Sequence, residues 1–253
     1  MIFDSHAHYN SEAFDQDREE LLASMAGHGI DKIMNVAAEM DSIDEILELT
    51  EKYPYIYGAL GIHPSECQPL TDEYLEQIKK EILAHEKIRA VGEIGLDYHW
   101  PDPERDLQKH WFRAQLEMAK ELKMPVIIHS RDACQDTMDI LSEYKDVTGI
   151  IHCFSYTKET ALKYVDMGYV IGVGGVVTFK NANKLKEAVK ALPLDKIVLE
   201  TDCPYMAPTP YRGERNDSRY ISLVIDEIAS LKGIDREEIE ETCYRTTCQV
   251  YGL

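Results

Sequence analysis

Five of the nine histidines of this chain, with two acidic residues, close short apolar runs. His6 and His8 follow Ile2-Phe3, His63 follows the stretch from Tyr57 to Ile62, and Glu93 closes the run that begins at Ala90. His129 ends the run from Pro125, His152 the run from Gly149, and Asp202 stands just past the run from Lys196 to Leu199. Singly, a histidine at the end of a strand is as readily a hydrogen-bonded structural residue as a ligand. Together, imidazoles and carboxylates are what a divalent ion takes, and such an ion holds a water, lowers its pKa toward about 7 and polarises the bond to be cut. On extended backbone alternate side chains share a face and each residue rises about 3.3 Å, so one ion can reach both His6 and His8.

Four histidines with Glu93 and Asp202 exceed the three protein ligands of a typical mononuclear catalytic zinc, which favours two ions over one. A carboxylate has two oxygens, so Glu93 suits a bridge between ions about 3.5 to 4 Å apart. Asp202 can ligate one ion while its other oxygen accepts the proton of the attacking water. Glu93 and Asp202 are thus the expected catalytic carboxylates.

Such residues meet only if the strands that carry them run side by side. Apolar segments of strand character begin near Ile2, Ile33, Ile56, Ala90, Val126, Gly149, Tyr169 and Ile197, and each is followed by a segment of helical spacing. The runs from Pro125 and Lys196 are continuously apolar, as parallel strands covered on both faces are. Eight βα units in 253 residues predict a (β/α)8 TIM barrel, in which catalytic groups gather at the C-terminal ends of the strands. A helical pattern from Asp235 to about Tyr251 predicts an additional C-terminal helix on its outside. No linker or low-complexity tract interrupts residues 1–253, so a single domain is expected.

A net charge of −19 excludes a protein that holds polyanions over its whole surface, so any nucleic-acid site must be local. The six cysteines lie scattered without a CxxC pair, which fits a reducing compartment better than a disulfide framework or structural zinc. Met1 runs straight into Ile2-Phe3-Asp4 with no basic-then-apolar leader, and no apolar run is long enough to span a bilayer. The expected location is cytoplasmic, with no membrane and no obligate protein partner.

The ordered motifs resemble those of the TatD family of metal-dependent deoxyribonucleases, within the wider amidohydrolase-like barrels. They are Asp4-Ser5-His6-Ala7-His8, the stretch from Gly61 to Pro64, Gly92 to Tyr98, His129-Ser130-Arg131, His152 to Ser155, Glu200 to Tyr205, and Pro210 to Asn216. The resemblance covers essentially the whole chain and implies that His6, His8, Glu93, His129, His152 and Asp202 are the metal positions, with Glu93 bridging. It departs at Thr246, where relatives often have Asn, and at Ser218, where Pro often follows the Arg-Asn pair. Those departures bear on local packing and not on the ligand set.

Metal chemistry alone fits phosphodiesters, amides, lactones and cyclic imides. Charge placement narrows the choice: Arg131, Lys158, Lys180, Lys184, Arg212, Arg215 and Arg219 lie in or near loops after the later strands, a basic mouth on an acidic body. Such a mouth suits a single-strand end of DNA, with Tyr98, Trp100, Phe154 and Tyr205 for base stacking and His63, Arg131, Arg212 and Arg215 for phosphate. Rival partners for Arg131 and Arg212 are Asp132 and Glu214. The expected activity is 3'-5' exonuclease-type cleavage of DNA using two divalent ions (Zn, Mn or Mg), the polarity coming from the resemblance alone. The alternative is an amidohydrolase or esterase acting on a small carbonyl compound or an aminoacyl-tRNA ester. Asp4 is expected to orient a histidine or to make a core hydrogen bond, and Cys153 and Cys203 to be structural.

Overall fold

The continuously apolar runs become eight parallel strands, hydrogen-bonded in the order of the sequence from β1 to β8. They are β1 (Ile2–Ala7), β2 (Ile30–Val36), β3 (Ile56–Leu60), β4 (Ile88–Asp97), β5 (Val126–Arg131), β6 (Gly149–Ile151), β7 (Val170–Val173) and β8 (Ile197–Leu199). Between them run α1 (Arg18–Ser24), α2 (Ile43–Lys52), α3 (Asp72–Ala84), α4 (Arg105–Leu122), α5 (Cys134–Glu143), α6 (Lys158–Asp166) and α7 (Asn183–Ala191). Two more, α8 (Ile221–Lys232) and α9 (Arg236–Tyr251), follow β8. This is a (β/α)8 barrel with an additional C-terminal helix, seen in a computed structural model that describes residues 1–253.

Contacts divide the chain into two compact units, Met1–Asn35 with Cys153–Leu253, and Val36–His152. In the first, β7 pairs with β8, and Ala7 at the end of β1 bridges Cys203. Helix α9 turns Ile239, Cys243, Thr246, Thr247 and Tyr251 inward, and the buried Tyr251 hydroxyl donates to Ser5 O at 2.8 Å. Tyr251 also packs its ring 5.7 Å from that of Phe3, which fastens the last turn of the chain to its first strand.

In the second unit β3, β4, β5 and β6 pair in sequence order. Helices α2 to α5 each bury one stripe, as Ile46 and Leu49 do in α2 and Trp111, Phe112, Leu116 and Ala119 in α4. Burying a side chain of that size stabilises by about 1.5 to 3 kcal/mol, so these stripes hold the helices to the strands far more firmly than helix propensity does.

The boundaries differ from expectation at one place that matters. Glu93 does not end the fourth strand: β4 continues to Asp97, with a break in register between Val91 and Ile94. The irregularity brackets Glu93 within the strand. Helix α1 stops at Ser24, and a tight turn from Met25 to His28 carries the chain on to Gly29.

Candidate functional site

In the first unit the site is built from the ends of β1 and β8. Asp202 N and Thr201 N donate to His6 O at 3.0 and 3.4 Å, and His8 N donates to Cys203 O at 2.8 Å. Beneath them Asp4 is completely buried and accepts from Ser218 Oγ at 2.6 Å, Thr201 Oγ1 at 2.7 Å, Thr201 N at 3.0 Å and His6 N at 3.3 Å. Burial pushes its carboxyl up to about 7, and the Ser218 and Thr201 hydroxyls pull it back only in part. Asp4 therefore orders the backbone of His6 and Thr201 and does not grip an imidazole. Ser218, one of the departures from the family pattern, supplies the shortest of those four bonds.

Asn216 completes the scaffold by donating to Thr201 O at 2.8 Å and Tyr205 O at 2.7 Å. With the turn tied at both ends, Asp202 adopts a left-handed φ of 58°. His6 Nε2 then lies 3.0 Å from His8 Nε2, and Asp202 Oδ1 lies 3.5 Å from His8 Nε2 and 3.9 Å from His6 Nε2.

In the second unit the carrier is the β4–β5 pair, where Gly95 lies opposite His129. Gly95 has φ 146°, and a Cβ there would fall 2.0 Å from His129 O, so only glycine allows the strands to approach this closely. Glu93 Oε1 faces three imidazoles, 2.8 Å from His129 Nδ1, 3.1 Å from His152 Nε2 and 3.7 Å from His63 Nε2. The other nitrogen of His129 meets Asp97 Oδ2 at 3.1 Å. Asp97 is in turn fixed by Gln108, whose Oε1 accepts from Asp97 N and whose Nε2 donates to Asp97 O, both at 2.9 Å.

Electrostatics follow from these contacts. Burial alone would lower the pKa of His129, but its hydrogen bonds to Asp97 and Glu93 outweigh burial and raise it. Burial likewise works to raise Asp97, and the bonds from His129 and His99 N hold it below the usual carboxylate range. For His63, burial and the neighbouring His129 win over the raising pull of Glu93 and Asp97 and push it down to about 3, so it is neutral.

Both sets of donors fit a divalent cation. In one unit the Glu93 carboxylate oxygen has the His129 and His152 nitrogens within 3.1 Å, and in the other two imidazole nitrogens and a carboxylate oxygen lie within 3.9 Å. A carboxylate-bound histidine such as His129 is also the arrangement that fixes a ligand's tautomer, here leaving Nδ1 toward Glu93. Asp97 was given no role by the sequence, although Glu93, Gly95 and Asp97 recur every second residue along β4, the spacing that places them on one face.

The expected substrate contacts separate into groups. Tyr205 is 59% exposed, its ring 6.4 Å from that of His8. Arg212 lies over the Phe179 ring at 4.4 Å and is not paired with Glu214, and Arg131 is exposed while Asp132 instead meets His99. His63 stands in the Glu93 cluster. Arg215 is held elsewhere: both its terminal nitrogens bond Asp17, at 2.7 and 2.6 Å, and one also donates to Ala13 O. Two aromatic residues expected to stack on bases are unavailable. Phe154 is 3% exposed, and Tyr98 donates to Asp136 beneath the Arg105 guanidinium. Trp100 remains well exposed. Cys203 is buried with its thiol pushed well up by burial, in keeping with a structural role.

Comparison with known proteins gives the same class. A family model described as TatD related DNase matches residues 3–252. The uncharacterized metal-dependent hydrolase YabD of Bacillus subtilis is 44% identical over 241 residues, covering 94% of each chain. Its counterpart YjjV of Escherichia coli is 33% identical over 255 residues, covering 100% of this chain and 98% of that one. The crystal structure of YjjV, described as a TatD homolog, superposes with a TM-score of 0.95 at 32% identity, again over 100% and 98% of the two chains. A phosphotriesterase homology protein from Escherichia coli, with phosphate in its active site, shares the fold at 14% identity and a TM-score of 0.70 over 97% and 98% of the chains.

Proposed function

Because the chain belongs to the TatD family of metal-dependent hydrolases, we propose that it cleaves phosphodiester bonds in DNA, working from the 3' end of a single strand. His6, His8 and Asp202 hold one divalent ion in this reading, and Glu93, His129 and His152 a second, with Zn, Mn and Mg as the candidate metals. The observation that carries it is the buried Glu93 carboxylate oxygen with the His129 and His152 nitrogens at 2.8 and 3.1 Å, a donor set suited to a divalent cation.

When bound, the ions supply an activated water and neutralise charge on the phosphate. The chain's own residues do the rest. Asp202 accepts the proton of the attacking water, on a backbone turn tied down by the hydrogen bonds of the preceding Thr201 to Asp4 and Asn216. Arg212 and Arg131 present guanidinium groups without acidic partners, as phosphate recognition requires. Tyr205 offers an exposed ring beside His8 on which a terminal base can stack. We place the protein in the cytoplasm, since all six cysteines are thiols.

Digestion of a 5'-labelled oligodeoxynucleotide with Mg²⁺, Mn²⁺ or Zn²⁺ tests the proposal. Stepwise shortening by the wild type, lost in Glu93→Ala and Asp202→Asn, is expected; undiminished cleavage by both variants overturns the site. Turnover should also weaken steeply as salt rises, whereas a salt-independent rate on small esters would favour a carbonyl substrate.

A further inference from the structure

His63 sits where strand β3 gives way to a tight turn, Pro64–Glu66. Its Nδ1 accepts a hydrogen bond from Ser65 N at 3.1 Å. A backbone N–H can only donate, so Nδ1 must present a lone pair. The Ser65 hydroxyl, 2.7 Å from the same nitrogen and 2.9 Å from Glu66 Oε1, rotates and can serve either, so it sets no competing demand. In the neutral ring the proton therefore resides on Nε2.

That N–H points at the Glu93 cluster. Nε2 lies 3.7 Å from Glu93 Oε1, and the His63 ring meets the His129 ring edge-on with centroids 4.3 Å apart. His63, Asp97 and His129 also bring their ligand atoms within 4.8 Å of one another, a spacing a metal could use. An Nε2 that carries a proton has no lone pair to give, which sets His63 apart from the imidazoles around it.

We propose that His63 is a neutral N–H donor of fixed tautomer, aimed at an anionic oxygen of the substrate, and neither a metal ligand nor a proton acceptor. The oxygen is a phosphoryl oxygen, a point that rests on the phosphodiester reading above. A donor held in place before the reaction stabilises charge as it develops and needs no reorganisation, which is why loss of one such donor typically costs about 10² to 10³ in kcat. The turn that holds Nδ1 is the device that keeps the donor pointing inward.

Nitrogen-15 NMR of the metal-free, ¹⁵N-histidine-labelled full chain reads the tautomer directly, with His63→Gln identifying the resonance. Protonated Nε2 and unprotonated Nδ1 at pH 7.5 are expected; protonation at Nδ1 overturns the proposal. Titration with Mn²⁺ should count as many bound ions in His63→Leu as in the wild type, and loss of an ion would make His63 a ligand. On the labelled oligonucleotide His63→Leu should lower kcat about 10²-fold with little change in KM, and His63→Gln, which keeps an N–H, should recover part of it. An unchanged kcat in His63→Leu counts against the donor role. If the wild type cleaves no DNA, the phosphodiester reading fails, while tautomer and ion count still decide the nature of His63.

Discussion

At the ends of β1 and β8 the potential ligands are placed by backbone, whereas along β4 and β5 they are placed by one another. Asp4, Asn216 and Ser218 tie peptide groups and hydroxyls around His6, Thr201 and Tyr205, and the His6, His8 and Asp202 side chains follow. In the other cluster Glu93 and Asp97 bond opposite edges of the His129 ring, and glycine lets the strands close enough for them to do so. Damage to the first scaffold should therefore appear mainly as lost stability. Damage to the second, apart from its glycine, should appear mainly as lost metal affinity.

The largest effect is expected at that glycine. Gly95→Ala places a Cβ against His129 O at 2.0 Å and forces φ 146° on a residue that avoids it, so urea unfolding should show a loss of about 3 kcal/mol or more. A change below about 1 kcal/mol would mean that the β4–β5 approach is not what sets His129. Asp4→Ala comes next. It strands the buried donors of Thr201 and Ser218 and should cost about 2 to 4 kcal/mol in the same measurement. Asp97→Ala sharpens the contrast: calorimetry with Mn²⁺ should show about 10- to 100-fold weaker binding, with a smaller stability loss than Asp4→Ala. Equal stability losses with unchanged metal affinity would erase the distinction.

The smallest effect concerns Arg215. Asp17 is held below its usual pKa by its bonds to Arg215, so the stability this pair contributes is present above about pH 4 and fades as pH falls through the lowered pKa. Arg215→Met should thus destabilise slightly at pH 7 and progressively less as pH falls below about 4, and should leave DNA affinity nearly unchanged. A marked loss of DNA affinity would return Arg215 to the substrate contacts.

Much of this was legible in the chain because buried parallel strands are continuously apolar and the polar residue that ends each run stands out. The starts at Ile2, Ile56, Val126, Gly149 and Ile197 were read directly; His8 and His152 fell just beyond strand ends, whereas β1 runs one residue past His6 and β5 two residues past His129. Glu93 misled in position because β4 keeps pairing beyond it, through Gly95, whose lack of a side chain breaks the apolar signal. Invisible were groups defined by distant partners: Ser218 meets Asp4 across 214 residues, and nothing local marks it. Phe154 and Tyr98 were misjudged because exposure of an aromatic residue depends on what packs over it, which composition does not specify.

Equilibrium titration with Mn²⁺, counting bound ions by calorimetry in the wild type, His8→Ala and His129→Ala, bears most directly on the claim that each cluster holds its own cation. Two ions in the wild type and one in each variant are predicted. Two ions retained in both variants, or none bound by the wild type, would contradict it.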